Sequence, residues 1–213
     1  MELTPLGSEF FEPSAAVVAP LLLGHWLVRK TSRGWCGGIV VETEAYLADD
    51  PACHGYRRET PRNRSMFGPP GHAYVYFIYG NHYCFNAVCR SAGVAEAVLV
   101  RALEPALRED WMAKRRLVGR RVELTSGPAK LCQALEINRR HDGVDLGNPK
   151  SSVWMARNPE SESFRASRGP VRTTTRIGLS RAAELPLRYY LTGSEFVSRR
   201  AILEQRRQGG PEG

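Results

Sequence analysis

In "GGIVVETEAY", Gly37 to Tyr46, side chains change character with a period of two, which predicts a β-strand. Strict alternation places Val40, Glu42, Glu44 and Tyr46 on one face, and Ile39, Val41, Thr43 and Ala45 on the other. The second face is core-like and the first is chemical. Upstream, "EPSAAVVAPLLLGHWLVRK" reads as a short helix after Ser14, ended near Gly24, followed by a strand from His25 to Lys30. Residues 47–72 hold four prolines and no period, so they predict an ordered loop or a string of turns. "AYVYFIYGNHYCFNAV" reads as two strands joined at Gly80-Asn81, because glycine accepts positive φ at no steric cost.

Further on, "EAVLVRALEP" predicts a strand from Glu96 to Leu103, interrupted only by Arg101, with a helix from Pro105 to near Leu117. "TSGPAKLCQALEI" predicts another helix, with Thr125 or Ser126 as N-cap, Pro128 in its first turn, and Leu131, Ala134 and Leu135 on one face. "SSVWMARN", "GPVRTTTRIGLS" and "LPLRYYLTG" read as strands between polar turns, and "QRRQGGPEG" as a frayed tail. No internal repeat or linker interrupts the pattern. The expectation is one domain over residues 1–204 with a flexible tail at 205–213.

Composition sharpens this picture. A chain of 213 residues, 42% of them hydrophobic, can bury one real core. No signal-peptide pattern opens it, and its longest apolar stretch, "AAVVAPLLLG", falls short of a bilayer span and contains Pro20, so a soluble protein of the cytoplasm is expected. The five cysteines are an odd number without a C-x-x-C pair, which argues for reduced thiols rather than a disulfide scaffold or zinc ribbon. The net charge of +8 favours a polyanionic partner. Arginine dominates the cations, and its planar donor fork suits phosphate.

Several residues stand out chemically. Tyr74, Tyr76 and Ile78 share one face of the first hairpin strand, whereas Tyr79 falls beside the turn. An aromatic there either closes the sheet through a cross-strand pair or acts as a wedge between stacked bases. Glu44 and Tyr46 would face one cavity, a carboxylate beside an aromatic platform, unless Glu44 merely forms a salt bridge. Arg101, in an apolar strand, needs an anion: Glu42, Glu44 or a phosphate. Asn86 is either a core amide with backbone partners or a group that inspects a base edge. In "HGYRRETPRNR", Arg57, Arg62 and Arg64 suit DNA phosphates or simply solvent. Glu42 and Glu44 could ligate magnesium in a nuclease, but no acidic partner completes a familiar motif, and no histidine or cysteine spacing repeats a zinc template.

Taken together, "VETEAY", "TPRNRSMF", "AYVYFIYGNHYCFN", "VLVRALEP" and "SGPAKLCQAL" closely resemble the alkyladenine (3-methyladenine) DNA glycosylase family, in order from about residue 5 to about residue 200. The resemblance implies an α+β fold: a single mixed domain with a curved antiparallel sheet, flanking helices and a protruding hairpin that intercalates into DNA. It implies that Glu44 activates water for attack on C1′ of a damaged nucleotide, that Arg101 helps hold that water, and that Ile177 faces it with its carbonyl. Tyr46 and Tyr76 would stack on the flipped base, His54 would make polar contacts around it, and Asn86 would exclude guanine by opposing its 2-amino group. Tyr79 would fill the gap left in the duplex. Lys130 joins Arg57, Arg62 and Arg64 as a candidate for the DNA backbone.

The implied partner is double-stranded DNA containing damaged purines, met by a monomer without metal or cofactor. The residues after the hairpin glycine, Asn81 and His82, are less bulky or apolar than in eukaryotic members, and the long N-terminal tail of those members is not expected here. The rival reading is a non-catalytic binder of distorted DNA, and the retention of Glu44 with Arg101 favours the enzyme. An RNA-binding role fits the charge but no motif.

Overall fold

The longest strand is the frame on which the rest is assembled. In the computed structural model, which describes residues 3–78, 80 and 82–199, β1 (Thr4–Pro5) leads through a 3-10 turn into α1 (Ala15–Leu22). Helix α1 starts at Ser14, whose hydroxyl accepts the Ala16 N–H at 3.4 Å. The buried carboxylate of Glu96 accepts the Ala15 N–H at 2.9 Å, so two of the helix's orphan donors are met. Ala15, Val18, Ala19 and Leu22 form its buried stripe at helical spacing. Gly24, at φ +89°, then turns the chain into β2 (Trp26–Thr31), close to the expected bounds.

Strand β3 (Gly34–Tyr46) is followed by the turn-rich stretch, with a 3-10 turn at Arg64–Phe67, and by the hairpin β4 (Ala73–Ile78) and β5 (His82–Cys89). Gly80, at φ +75°, occupies the hairpin turn. Strand β6 (Glu96–Leu107) runs farther than its sequence predicts, so the helix expected from Pro105 begins only at Glu109, as α2 (Glu109–Arg116). The strand persists because Gly38 lets its neighbour approach: a Cβ there would lie 2.3 Å from the Glu104 carbonyl oxygen.

Helix α3 (Pro128–Ala134) has its predicted first-turn proline and buries Leu131, Ala134 and the following Leu135. Neither Thr125 nor Ser126 caps it, however. Gly127 is the N-cap, and the Thr125 hydroxyl instead donates to the Leu103 carbonyl at 2.7 Å. The last third forms β7 (Val153–Arg157), α4 (Ser161–Ser167), β8 (Val171–Thr174) and β9 (Arg188–Leu191). Helix α4 buries none of its residues fully, which explains why no apolar period announces it. The four helices described flank an antiparallel sheet curled into a half-barrel.

The sheet order is β1-β7-β2-β3-β6-β5-β4, with β9 on β3 and β8 on β9. Strand β2 pairs with the first half of β3, β9 pairs with Glu42–Glu44, and β6 runs along the opposite edge. Three register shifts bend the β3–β6 ladder. Ala106 is the extra residue at the first, Val41 at the second and Arg101 at the third.

The shift at Val41 corrects the expected alternation. Val40 packs in the main core with Val41 and Ala45 rather than beside Glu42, because one extra residue moves the strand out of phase. A satellite cluster of Cys53, Met66, Tyr74, Val88, Ala95 and Ala97 forms a separate small core next to Tyr46 and Tyr76. All five cysteines are free and buried, in accord with the expected reduced thiols. The expected tail at 205–213 lies outside the described residues, as do Tyr79 and Asn81.

Candidate active site

Beyond the Val41 bulge, β3 points Glu42, Glu44 and Tyr46 toward one region, and both carboxylates are fully buried. Bulges beside functional sites re-aim side chains, and here a second bulge on β6 delivers Arg101 opposite them. One guanidinium serves both acids: Arg101 Nε lies 2.9 Å from Glu42 and Nη1 lies 3.1 Å from Glu44. The ion pairs with Glu42 and Glu44 foreseen as alternatives for Arg101 therefore coexist.

The two carboxylates nevertheless have different surroundings. Glu42 also accepts from Arg188 Nε at 2.8 Å, from the Ser198 N–H at 2.6 Å and from the Ser198 hydroxyl at 2.9 Å. Two cations and a serine leave it little capacity for chemistry. Glu44 Oε1 accepts from the Ile177 N–H at 2.8 Å and is ion-paired with Arg101, while Oε2 accepts from the Tyr46 hydroxyl at 3.0 Å. A carboxylate oxygen has two lone pairs, so Oε2 can take one further proton donor, such as water.

Next to Glu44 lies a cavity of about 310 Å³ whose lining includes Tyr46, His54, Tyr76, Asn86, Arg101 and Ile177. Six of the expected site residues thus meet around one space, with Glu44 hydrogen-bonded to Tyr46 and Ile177 and ion-paired with Arg101. The His54 ring lies 4.5 Å from that of Tyr76, centroid to centroid, and its Nδ1 is 2.9 Å from the Tyr74 hydroxyl. Asn86 Nδ2 donates to the Tyr74 carbonyl at 2.9 Å, which fixes the orientation of its amide. Ile177 contacts Glu44 through its N–H, a contact that differs from the carbonyl role implied by resemblance.

The electrostatics keep this space largely free of titrating charge. Burial pushes the Tyr46 hydroxyl far above its usual range, and the Glu44 carboxylate pushes it in the same direction. Burial likewise raises Tyr76 and Tyr74. For His54, burial and then the Arg62 cation lower the pKa, so its imidazole stays neutral near pH 7. The walls are therefore aromatic and neutral, and Arg101 is the cation among the lining residues.

The basic candidates lie around this space. Arg57 and Arg62 line a neighbouring cleft of about 420 Å³ that shares His54 and Tyr74 with the cavity. Arg62 donates to the Phe77 carbonyl at 3.0 Å, on the hairpin. Arg64 pairs with Glu59 at 3.1 Å on the exposed surface, and Lys130 stands half-buried in the first turn of α3; neither lines the cavity. Tyr79 lies outside the described residues. Among the described residues, no group of three or more histidine, cysteine, aspartate or glutamate side chains could hold a metal ion, and no helix is long and apolar enough to cross a membrane.

Sequence reasoning missed one buried pair beside the site. Arg176 donates from Nη1 to Asp50 Oδ2 and from Nη2 to Asp50 Oδ1 at 3.1 Å, across 126 residues. Its guanidinium also lies 4.7 Å from the Tyr46 ring centroid. The available signal was the position of Arg176 immediately before Ile177, but nothing in spacing names Asp50 as its partner.

Comparisons with known proteins show the family to which the chain belongs. The family model for methylpurine-DNA glycosylase matches residues 9–195. A protein of Carboxydothermus hydrogenoformans named "Putative 3-methyladenine DNA glycosylase" is 45% identical over 195 residues, covering 92% of this chain and 99% of its own. A protein of Methanoculleus marisnigri with the same name is 48% identical over 195 residues, with the same two coverages. One from Francisella tularensis, again so named, is 43% identical over 182 residues, covering 85% of this chain and 92% of its own. With its carboxylate, aromatic cavity and matched length, the chain belongs to the methylpurine-DNA glycosylase family.

Proposed function

We propose that this protein is a monofunctional DNA glycosylase of base-excision repair that takes alkylated or deaminated purines, flipped out of duplex DNA, into the cavity beside Glu44. It hydrolyses the N-glycosidic bond, releases the free base and leaves an abasic site. The observation that carries this reading is Glu44 itself: a buried carboxylate with one oxygen able to accept a further donor, next to an aromatic cavity.

In this reading Glu44 orients and deprotonates the water that attacks C1′, and Arg101, ion-paired with it at 3.1 Å, holds the carboxylate in place. Alkylation at N3 or N7 makes the purine cationic and already a good leaving group, so a positioned base matters more than a strong acid. Tyr46 and Tyr76 provide π-faces that attract an electron-poor ring. Neutral His54 contacts the base and its sugar-phosphate, and Asn86 opposes the 2-amino group of guanine. Flipping costs a few kcal/mol. The β4–β5 hairpin, protruding into the minor groove with Tyr79 as its wedge, offsets that cost together with phosphate contacts from Arg57, Arg62, Arg64 and Lys130. The protein works as one domain and as a monomer, in the cytoplasm.

Duplex oligonucleotides carrying 3-methyladenine, 7-methylguanine, hypoxanthine or 1,N6-ethenoadenine, incubated with the protein and cleaved with hot alkali, test this reading. Strand scission at the lesion supports it. Tight binding of every lesion without scission would replace it with a non-catalytic binder of distorted DNA.

A further inference from the structure

We propose that the Asp50–Arg176 ion pair is a positioning device for Glu44, pinning the loop of residues 175–182 so that the Ile177 N–H meets the carboxylate and Tyr46 is held by one face. The proposal rests on the glycosylase reading and names residues outside the cavity lining that govern its chemistry.

Both partners are almost wholly removed from solvent, at 0% and 1% side-chain exposure. Burying two full charges is costly, and well-packed apolar residues would hold two loops together at least as well. The pair therefore calls for a reason beyond adhesion, and its geometry provides one. The donor fork of Arg176 reaches three separate segments: the Ala45 carbonyl at 3.0 Å on β3, Asp50 after β3, and the Ala182 carbonyl at 3.3 Å on its own loop. Asp50 Oδ1 is itself held by the Ala52 N–H at 2.9 Å.

The residue after Arg176 donates to Glu44 at 2.8 Å, and the residue after Ala45 is Tyr46. A guanidinium fixed at this point sets both neighbours at once. It covers one face of the Tyr46 ring, which leaves the other face for a base, while the Tyr46 hydroxyl stays on Glu44. Only a planar fork reaches all these acceptors; a lysine ammonium replaces it as a single point.

The test uses the full chain and duplex DNA containing whichever of the four lesions named above the wild-type protein excises fastest. The paired substitution Asp50→Asn with Arg176→Gln keeps polarity, removes both charges and shortens the side chain at 176, and Arg176→Lys keeps the cation alone. A single-turnover rate constant is independent of the fraction of protein that folds, and lesion-DNA affinity is measured beside it. A small displacement of a catalytic group costs roughly 10- to 100-fold in rate, which is the loss expected for the paired variant with affinity changed less than about threefold. Arg176→Lys is expected to fall between it and wild type.

A wild-type rate constant in the paired variant would overturn the proposal, as would equal losses of rate and affinity, which would make the pair a scaffold for the whole pocket. If the paired variant does not fold, Arg176→Lys decides alone by the same criterion of lost rate with retained affinity. Wild-type protein that binds all four of those lesions but excises none would count against the glycosylase reading instead.

Discussion

Glu42 and Glu44, two residues apart on β3, are held by a single guanidinium, yet Glu42 is saturated by Arg101, Arg188 and Ser198 while Glu44 keeps capacity at Oε2. The pair separates structure from chemistry within one strand. Glu44→Gln preserves shape and removes the base, so excision should fall by roughly 10²- to 10⁴-fold while lesion binding persists. Glu42→Gln should leave the single-turnover rate within about tenfold but destabilise the fold by about 3 kcal/mol, because it leaves buried cations undercompensated. Single-turnover excision and urea denaturation of both variants check this. Retained turnover in Glu44→Gln would require another base.

Asn86 provides a second separation. Its Nδ2 is committed to the Tyr74 carbonyl, so the amide cannot rotate freely to suit an incoming base. Asn86→Ala should raise excision or binding of guanine relative to hypoxanthine, with the hypoxanthine rate changed by less than about tenfold. Competition between the two bases in otherwise identical duplexes measures it, and an unchanged ratio would remove Asn86 from base selection.

A pH prediction follows from His25, away from the cavity. Burial, then the nearby cations Arg157 and Arg165, push its pKa down from 6.5 to about 4, and its Nδ1 accepts the Asn158 N–H at 3.1 Å. The unfolded chain binds the proton more readily than the folded one. Stability from this group is therefore complete above pH 6.5 and is lost as pH falls toward 4. The loss is at most about 3 kcal/mol, using 1.36 kcal/mol per pKa unit. Urea midpoints at pH 7 and 4.5 should show the fall, and His25→Asn should flatten it in part. His54 and His141, also lowered by burial, keep some of the slope.

Much of the fold was legible wherever one periodicity ruled over several residues. The alternation in β3 marked Glu44 and Tyr46 as neighbours on one face, and Gly80 marked the hairpin turn. What escaped was set by distant contacts. Pro105 reads locally as a helix start, but it belongs to β6 because Gly38 permits close approach. The Val41 bulge is a property of two strands together, invisible in either alone. Of the candidate site, the cavity residues were recognisable from motif resemblance. Arg188 and Ser198 as donors to Glu42, and the Asp50–Arg176 pair, were not, since their sequence separations reach 156 residues.

The exchange of neighbours along β3, with β2 on its first half and β9 on its second, orders the birth of the site in time. Both acids are synthesised well before Ile177, Arg188 and Ser198, which hold them from 133, 146 and 156 residues farther along. In a chain made only as far as β6, Arg101 is the cation that the folded structure sets against the two carboxylates. Burial of both acids is fully compensated only once residues 177–198 have arrived, so the cavity beside Glu44 closes late in the assembly of the sheet.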